Sequence, residues 1–423
     1  MASPGLSSPP ASRSTLRRVP SAASNAGVLP ADVLFDVLLR LPAKELCRLR
    51  TVCRAWHSLT VDPLFTGAHA ARNPLFVVNF RDDRTHICVV DLSGNVLKRI
   101  PNADGHQLLC TRLDLACVAT VSNSCRMIDP TTGNVLALPE IPAAEHLNLE
   151  NLREPYTCFA FGRTATTGEY KVIRIFCRPT LTGFHEPHLF EVLTVNSGSS
   201  SSSSQGHVFA INSGSSSGPS QARWRARWNS DDLYEPGSAI VVGQVVYFKV
   251  DTVFDAMICG GVNPGIPLDC IHSFDLEREE WRGILHGPIS GIFQTGEYDD
   301  DLDDYRGLWC DTTLADLRGS LGLVHYRKFR HIMDLWVLRD FDSGLWVKEN
   351  IIQIEPTFPT TELRVKSLFM LDDGRIVIHF PKTGLLFIYD PITNTSAQAE
   401  MRHLDAVAMY TRNLLNLQVG DMV

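Results

Sequence analysis

Four short stretches of the sequence carry residue types that could do chemistry. His185-Glu186-Pro187-His188 offers two imidazoles and a carboxylate, donor types of a metal site. Pro187 disfavours the regular helix that would turn both rings to one side, so the stretch reads as an exposed loop. The acids from Asp299 to Asp304 are calcium-type ligands without the spacing or the turn glycine of a calcium loop. Gly214-Ser215-Ser216-Ser217-Gly218 matches the pattern of a nucleophile elbow, which needs a strand before it and a helix after it. Its flanks are low-complexity Ser and Gly. Ala222-Arg-Trp-Arg-Ala-Arg-Trp228 interleaves cations with indoles, as a nucleic-acid stacking surface would. Its strict alternation equally suits a strand with Trp224 and Trp228 on one face. No phosphate loop, G-x-G-x-x-G run or H-E-x-x-H helix is present. The sequence nominates no catalytic residue, no metal ligand and no cofactor.

The chain has 423 residues, 44% hydrophobic and 20% charged. It can bury a real core, in two or three ordinary domains or in one small and one large repeat-built domain. The formal charge is 39 − 47 = −8, so no global basic field would draw nucleic acid or an anionic membrane. No apolar run reaches the roughly 18–20 residues of a membrane helix. The start, MASPGLSSPPASRS, has no hydrophobic signal core. The 11 Cys are odd in number, irregularly spaced and never C-x-x-C. That usage suits reduced, mostly buried thiols in an intracellular protein, in cytoplasm or nucleus, rather than a disulfide framework. Asn394-Thr395-Ser396 fits a glycosylation sequon and is read as a turn.

Residues 1–27 are rich in Ser, Ala and Pro, without periodicity, and a disordered tail is expected there. Their Arg-bearing, acid-free composition also resembles an organelle transit peptide. Residues 28–72 read as a compact helical unit. Leu34, Val37, Leu38 and Leu41 fall at i, i+3, i+4 and i+7, one face of a helix that Pro30 and Asp32 start and Pro42 ends. A second helix is expected over Ala43 to Val52, presenting Leu46, Leu49 and Val52. A third, near Cys53 to Thr60, presents Trp56 and Leu59 before Asp62-Pro63 punctuates.

From about residue 75 the texture becomes short β-branched and aromatic runs between turn signals, among them PLFVVNF, KVIRIFC and RIVIHF. A weak repeat recurs: Met127 to Pro139, Ile271 to Trp281, Leu335 to Trp346 and Phe387 to Asn394. In each a strand ends in an acidic or Pro-Thr turn and a second strand follows. Strand–turn–strand units at intervals of tens of residues suit a β-propeller-like domain over 75–415, with about six to seven blades. Two insertions interrupt it. Residues 196–220, Ser- and Gly-rich around an apolar island at Val208 to Ile211, read as a flexible loop. The acidic run 297–304 reads as a solvated loop or as a contact for a basic partner.

The run from Val28 to Phe65 resembles an F-box over nearly the whole motif. The match includes Leu29-Pro30, the Leu34/Val37/Leu38 face, Leu41-Pro42, Val52-Cys53, Trp56 and Asp62-Pro63. The rest resembles the F-box-associated domain of the large plant F-box families. Asp129-Pro-Thr-Thr-Gly133, Gly168-Glu-Tyr-Lys-Val172, Phe190-Glu-Val-Leu193, Asp334-Leu-Trp-Val-Leu338 and Tyr389-Asp-Pro391 carry that likeness. Repeated double-glycine kelch signatures are missing; Gly260-Gly261 stands alone.

The resemblance implies a non-catalytic substrate receptor of an SCF-type (Skp–cullin–F-box) ubiquitin ligase. The F-box would dock on a Skp-family adaptor, and the β domain would hold a protein target for ubiquitination, with no nucleic acid or membrane as partner. The adaptor face it implies comprises Leu29, Pro30, Leu34, Val37, Leu38, Leu41, Pro42, Leu46, Val52, Cys53 and Trp56. The residues support docking independently. A unit of about 45 residues is too small to bury a full core alone, so part of this apolar surface is left for another surface. Packing onto the β domain is the competing use of it. A ligand- or sugar-binding propeller and an adaptor-bound regulator that degrades nothing are the alternative functions. Substrate contacts are expected from loops at the propeller mouth, with the two insertions as candidates on accessibility alone.

Overall fold

The computed structural model describes residues 29–103, 105–147, 156–177, 188–198, 208–211, 223–227, 234–235, 237–250, 269–289, 309, 311–327, 331–353 and 365–412. The expected N-terminal tail, Glu186, the serine elbow, Trp228, Gly260-Gly261 and the acidic run 297–304 all lie outside the described residues.

Four helices come first, not three: α1 (Ala31–Leu38), α2 (Ala43–Leu49), α3 (Arg54–Val61) and α4 (Pro63–Arg72). The fourth is the correction. Asp62-Pro63 does not close the helical unit but opens another helix. The Asp62 carboxylate accepts from the backbone N–H of Leu64 (2.8 Å) and of Phe65 (3.4 Å), and Pro63 occupies the first helical position. These are the preferred cap and the preferred first residue of a helix. The second helix is also shorter than expected, leaving Val52 in the turn before α3.

The strands follow in meanders. The first is β1 (Leu75–Phe80), β2 (Asp83–Asp91) and β3 (Val96–Pro101). Next come β4 (Gln107–Leu108), β5 (Arg112–Leu113), β6 (Ala116–Ala119), β7 (Cys125–Ile128) and β8 (Val135–Ala137). The third group is β9 (Tyr156–Arg163), β10 (Tyr170–Cys177), β11 (Leu189–Gly198), β12 (Val208–Ile211) and β13 (Arg225–Arg227). The fourth is β14 (Ile240–Val242), β15 (Val245–Lys249), β16 (Cys270–Asp275) and β17 (Glu280–His286). The fifth is β18 (Thr312–Leu317), β19 (Ser320–Arg327), β20 (Ile332–Asp340) and β21 (Leu345–Gln353). The last are β22 (Ser367–Met370), β23 (Ile376–Phe380), β24 (Leu385–Asp390), β25 (Thr395–Gln398) and β26 (Leu404–Tyr410).

Pairing forms five sheets among the described residues, which divide into six antiparallel groups once the parallel contacts β5–β26 and β18–β22 are set aside. The first group is completed from the far end of the sequence: β26 pairs with β1, Leu75 facing Tyr410 and Phe80 facing Leu404. The fifth and sixth groups touch through one parallel pair, Asp316 with Phe369. The innermost strands β4, β9, β14, β18, β22 and β26 surround a central channel, the arrangement of a β-propeller.

The weak sequence repeat has a physical cause. In five groups the third strand ends in an Asp, or is followed at once by one, whose Oδ1 accepts backbone N–H groups of the turn. Asp91 takes Ser93 (2.9 Å), Asp129 takes Thr131 (2.8 Å) and Asp275 takes Glu277 (2.9 Å); Asp340 takes Asp342 (3.1 Å) and Asp390 takes Ile392 (2.8 Å). This is the Asx turn, and it fixes the hairpin to the outer strand. The third group departs from it. There β11 continues to Gly198 and pairs with β12, Asn196 facing Ala210. Within the Ser/Gly-rich insertion expected as a flexible loop at 196–220, residues 196–198 and the island Val208–Ile211 are therefore paired strands.

Polar groups stitch the groups together. Arg174 of β10, fully buried, donates through Nε to Glu191 of β11 (3.0 Å) and through its other nitrogens to Asn123 Oδ1 (2.8 Å), Glu140 O (3.0 Å) and Ile141 O (3.2 Å). Its guanidinium also lies 4.0 Å from the Trp224 ring centroid. Glu279, in the turn of the fourth group, takes Lys171 of the third (2.7 Å) together with Arg225 and Arg227. Within the Arg–Trp alternation, Arg225–Arg227 form a strand, with Trp224 buried before it and two arginines bound to Glu279. Burial would raise the Glu279 carboxyl, but the hydrogen bonds and charges of Arg225 and Lys171 outweigh it and hold it at about 2.

Glu279→Gln removes the shared countercharge, and we expect a loss of about 1–3 kcal/mol in urea unfolding at neutral pH. The folded carboxyl titrates below its ordinary 4.5, so the stabilisation is complete above that pH. It fades as pH falls toward about 2, and the difference between wild type and variant should shrink in the same window.

Candidate functional site

Two surfaces stand out, one at each end of the propeller. The first is the helical unit. Its interior is Leu38, Leu46, Cys47 and Phe65, with Phe35 edge-on to Phe65 at 5.2 Å. Arg50 ties α2 to α3 through Thr60, donating to its Oγ1 (3.2 Å) and its carbonyl (3.1 Å). His69 of α4 donates through Nε2 to Leu41 O at 2.9 Å, locking α4 against the turn between α1 and α2. Burial pushes the His69 imidazole below its ordinary value, with the Leu41 carbonyl opposing. Its Nδ1 is buried without a partner, so the ring sits neutral.

This interior runs on without a break into Leu75, Val77, Ile87 and Val89 of the first blade. The helices therefore do pack on the β domain, and the expected adaptor face divides. Leu38 (1% exposed) and Leu46 (0%) are core, not surface: helical packing aims them at Phe65. Leu34, Leu41 and Trp56 are half-buried against the same cluster. Leu29 (52%), Val37 (46%) and Val52 (60%) are open to solvent, as are Pro30, Pro42 and Cys53. Sequence reasoning missed Val33 (40%) and Leu64 (80%). The signal for Val33 was its four-residue spacing from Leu29 and Val37, a second stripe along α1. Leu64 had none beyond its place after Pro63.

The second surface is the channel mouth. A cavity of about 630 Å3 is lined by the starts of the inner strands, including Gln107, Tyr156, Ala239, Thr313 and Val365. A smaller void of about 400 Å3 lies where those strands finish, at Arg112, Phe161, Asp316 and Gly319. Arg112 pairs with Met409 at the end of β26, beside Leu75, three residues past the end of α4. The helical unit thus joins the end of the small void, and the large cavity opens at the opposite end. Within it, Lys249 is buried, donating to Trp309 O and Thr312 O (2.8 Å each) and pairing with Glu235 (2.8 Å). Tyr156 is exposed at its rim.

The two insertions separate at this point. The strand ends flanking 290–308 lie at the large mouth, whereas Gly198 and Val208, which flank 199–207, lie at the helical end. Among the described residues no group of three His, Cys, Asp or Glu side chains could hold a metal ion, and no helix is long and apolar enough to cross a membrane.

A propeller-like β domain is thus preceded by a small helical unit with an uncovered apolar edge. The family comparisons agree. A profile described as F-box-like matches residues 26–66, and one described as the F-box associated beta propeller domain matches residues 79–417. The chain belongs to the F-box proteins that carry this domain. An Arabidopsis thaliana F-box protein is 32% identical over 407 residues, covering 90% of this chain and 87% of the relative. Another from the same plant is 22% identical over 416 residues, covering 86% and 85%. A solved chain of the nidogen/laminin complex overlaps 80% of this chain and 98% of its own at 9% identity, with a TM-score of 0.38, and no argument rests on it.

Leu46→Ala empties part of the helical core, and we expect it to cost about 2–5 kcal/mol. Val37→Glu, on the exposed stripe, should shift stability by less than about 0.5 kcal/mol. Denaturant unfolding of both variants checks the division; equal losses would place Val37 in the core as well.

Proposed function

We propose that this protein is the substrate-recognition subunit of an SCF-type ubiquitin ligase. The uncovered edge of the F-box docks on a Skp-family adaptor, and the far mouth of the propeller holds the protein target. One observation carries the reading. The helical unit spends Leu38, Leu46 and Phe65 on its own core yet leaves Leu29, Val33, Val37, Val52 and Leu64 uncovered. Each large apolar side chain buried on a partner contributes roughly 1.5–3 kcal/mol, so a few of them sustain tight docking. The protein breaks no bond in this scheme; it raises the effective concentration of target lysines near the charged enzyme.

The opposite placement of the two surfaces supports the same division of labour. A second reading, a propeller that binds a small ligand or sugar, draws on the cavity of about 630 Å3, which lies in the size range of small-molecule sites. A screen of the full chain against glycans tests it, with saturable binding as the result in its favour.

For the leading reading, affinity capture of the adaptor should fall at least about tenfold in Val37→Glu with Leu64→Glu, a loss of about 1.4 kcal/mol or more. The unfolding midpoint should stay unchanged. Adaptor capture that persists in a variant lacking 28–65 would overturn the proposal.

A further inference from the structure

The wall of the large cavity carries a feature that substrate docking does not use. Cys158 of β9 faces Ile175 of β10 in the antiparallel register. Cys177 lies two residues beyond Ile175, hence on the same face of the sheet. Both residues line the cavity and both are partly exposed. We propose that Cys158 and Cys177 form a dithiol that hydroperoxides oxidise to a disulfide across β9 and β10.

The surroundings suit a nucleophilic thiol paired with a resolving one. A hydrogen bond joins the Cys158 and Cys177 side chains, and the Gly237 backbone bonds to Cys158 as well. The Cys177 hydrogen bond draws the Cys158 thiol below its ordinary value despite burial, while the same bond, with burial, pushes Cys177 well up. The shared hydrogen bond favours a thiolate at Cys158, and the thiolate is the reactive form.

The chemistry balances with hydrogen peroxide as oxidant. The Cys158 thiolate attacks one peroxide oxygen; the O–O bond breaks, and hydroxide leaves, taking a proton to become water. Cys158 is then a sulfenic acid. The Cys177 thiol gives up its proton and attacks that sulfur. The S–O bond breaks, a second water leaves, and the S–S bond forms. The protein loses two electrons and peroxide gains them.

A second close pair provides an internal contrast. Cys117 and Cys125 have sulfurs 3.5 Å apart but are sealed in the core, and their mutual hydrogen bond, with burial, pushes the Cys117 thiol well up. Proximity is shared by the two pairs; partial exposure belongs to Cys158 and Cys177, and the lowered thiol to Cys158.

The test is peptide mapping of the full chain after graded hydrogen peroxide and alkylation. The Cys158–Cys177 link should form first, at least about tenfold faster than oxidation of the exposed Cys53. In Cys177→Ser the link is lost and dimedone traps a sulfenic acid on Cys158. A readout that needs no variant is the iodoacetamide rate of Cys158, which should be faster in the native chain than in urea. Oxidation of Cys53 first, or slower native alkylation of Cys158, overturns the proposal. None of these readouts depends on adaptor or target binding.

Discussion

A ring of blades is only as sound as its closure, and here closure is a strand pairing. The last strand, β26, lies between the end of the chain's β domain and β1, in register from Leu75–Tyr410 to Phe80–Leu404. No covalent bond backs it. Instead, the Arg81 guanidinium reaches from the first blade to Asp405 and to the carbonyls of Pro381 and Lys382. Leu404 donates to Gly384 O at 2.8 Å, an approach so close that a Cβ at Gly384 would fall 2.8 Å from the Leu404 nitrogen. Gly384 also has a φ of +75°, so glycine is required there twice over.

Closure orders everything else. It sets the inner strands side by side, so their starts define one mouth and their finishes the other. Because β1 runs antiparallel to β26, the helices that precede β1 are delivered to the finishing end. Buried polar stitches at Arg174 and Glu279 then resist shear between neighbouring blades. Their worth is geometric as much as energetic, since a buried ion pair offsets much of its attraction by desolvation.

Much of this was legible from residue types. The β-branched runs marked the strands, and the four repeats each proved to be a hairpin, because an Asp at the end of a strand caps its turn locally. What escaped was either ambiguous or non-local. Asp62-Pro63 reads as a stop or as a start, and only the packing of Phe65 and His69 makes it a start. Leu38 and Val37 are equally apolar, and the sequence could not say which one meets Phe65 and which one meets solvent. Glu279 looks like one more charge in Leu-Glu-Arg-Glu-Glu, yet three cations from another blade converge on it. The mouth itself is assembled from segments spread from Gln107 to Pro381, a distance over which no local pattern carries information.

The use of the final strand to finish the first blade has a consequence for biosynthesis. As the polypeptide leaves the ribosome, α1 to α4 emerge early, with Leu38, Leu46 and Phe65 to pack among themselves. β1 to β3, made next, wait for a neighbour more than three hundred residues downstream. Phe76 and Val78 of β1, which end up sealed against Val407 and Met409, stay uncovered throughout that interval. Nascent chains of this protein thus pass through a stage with an unsatisfied strand edge, the period when chaperones would be of most use.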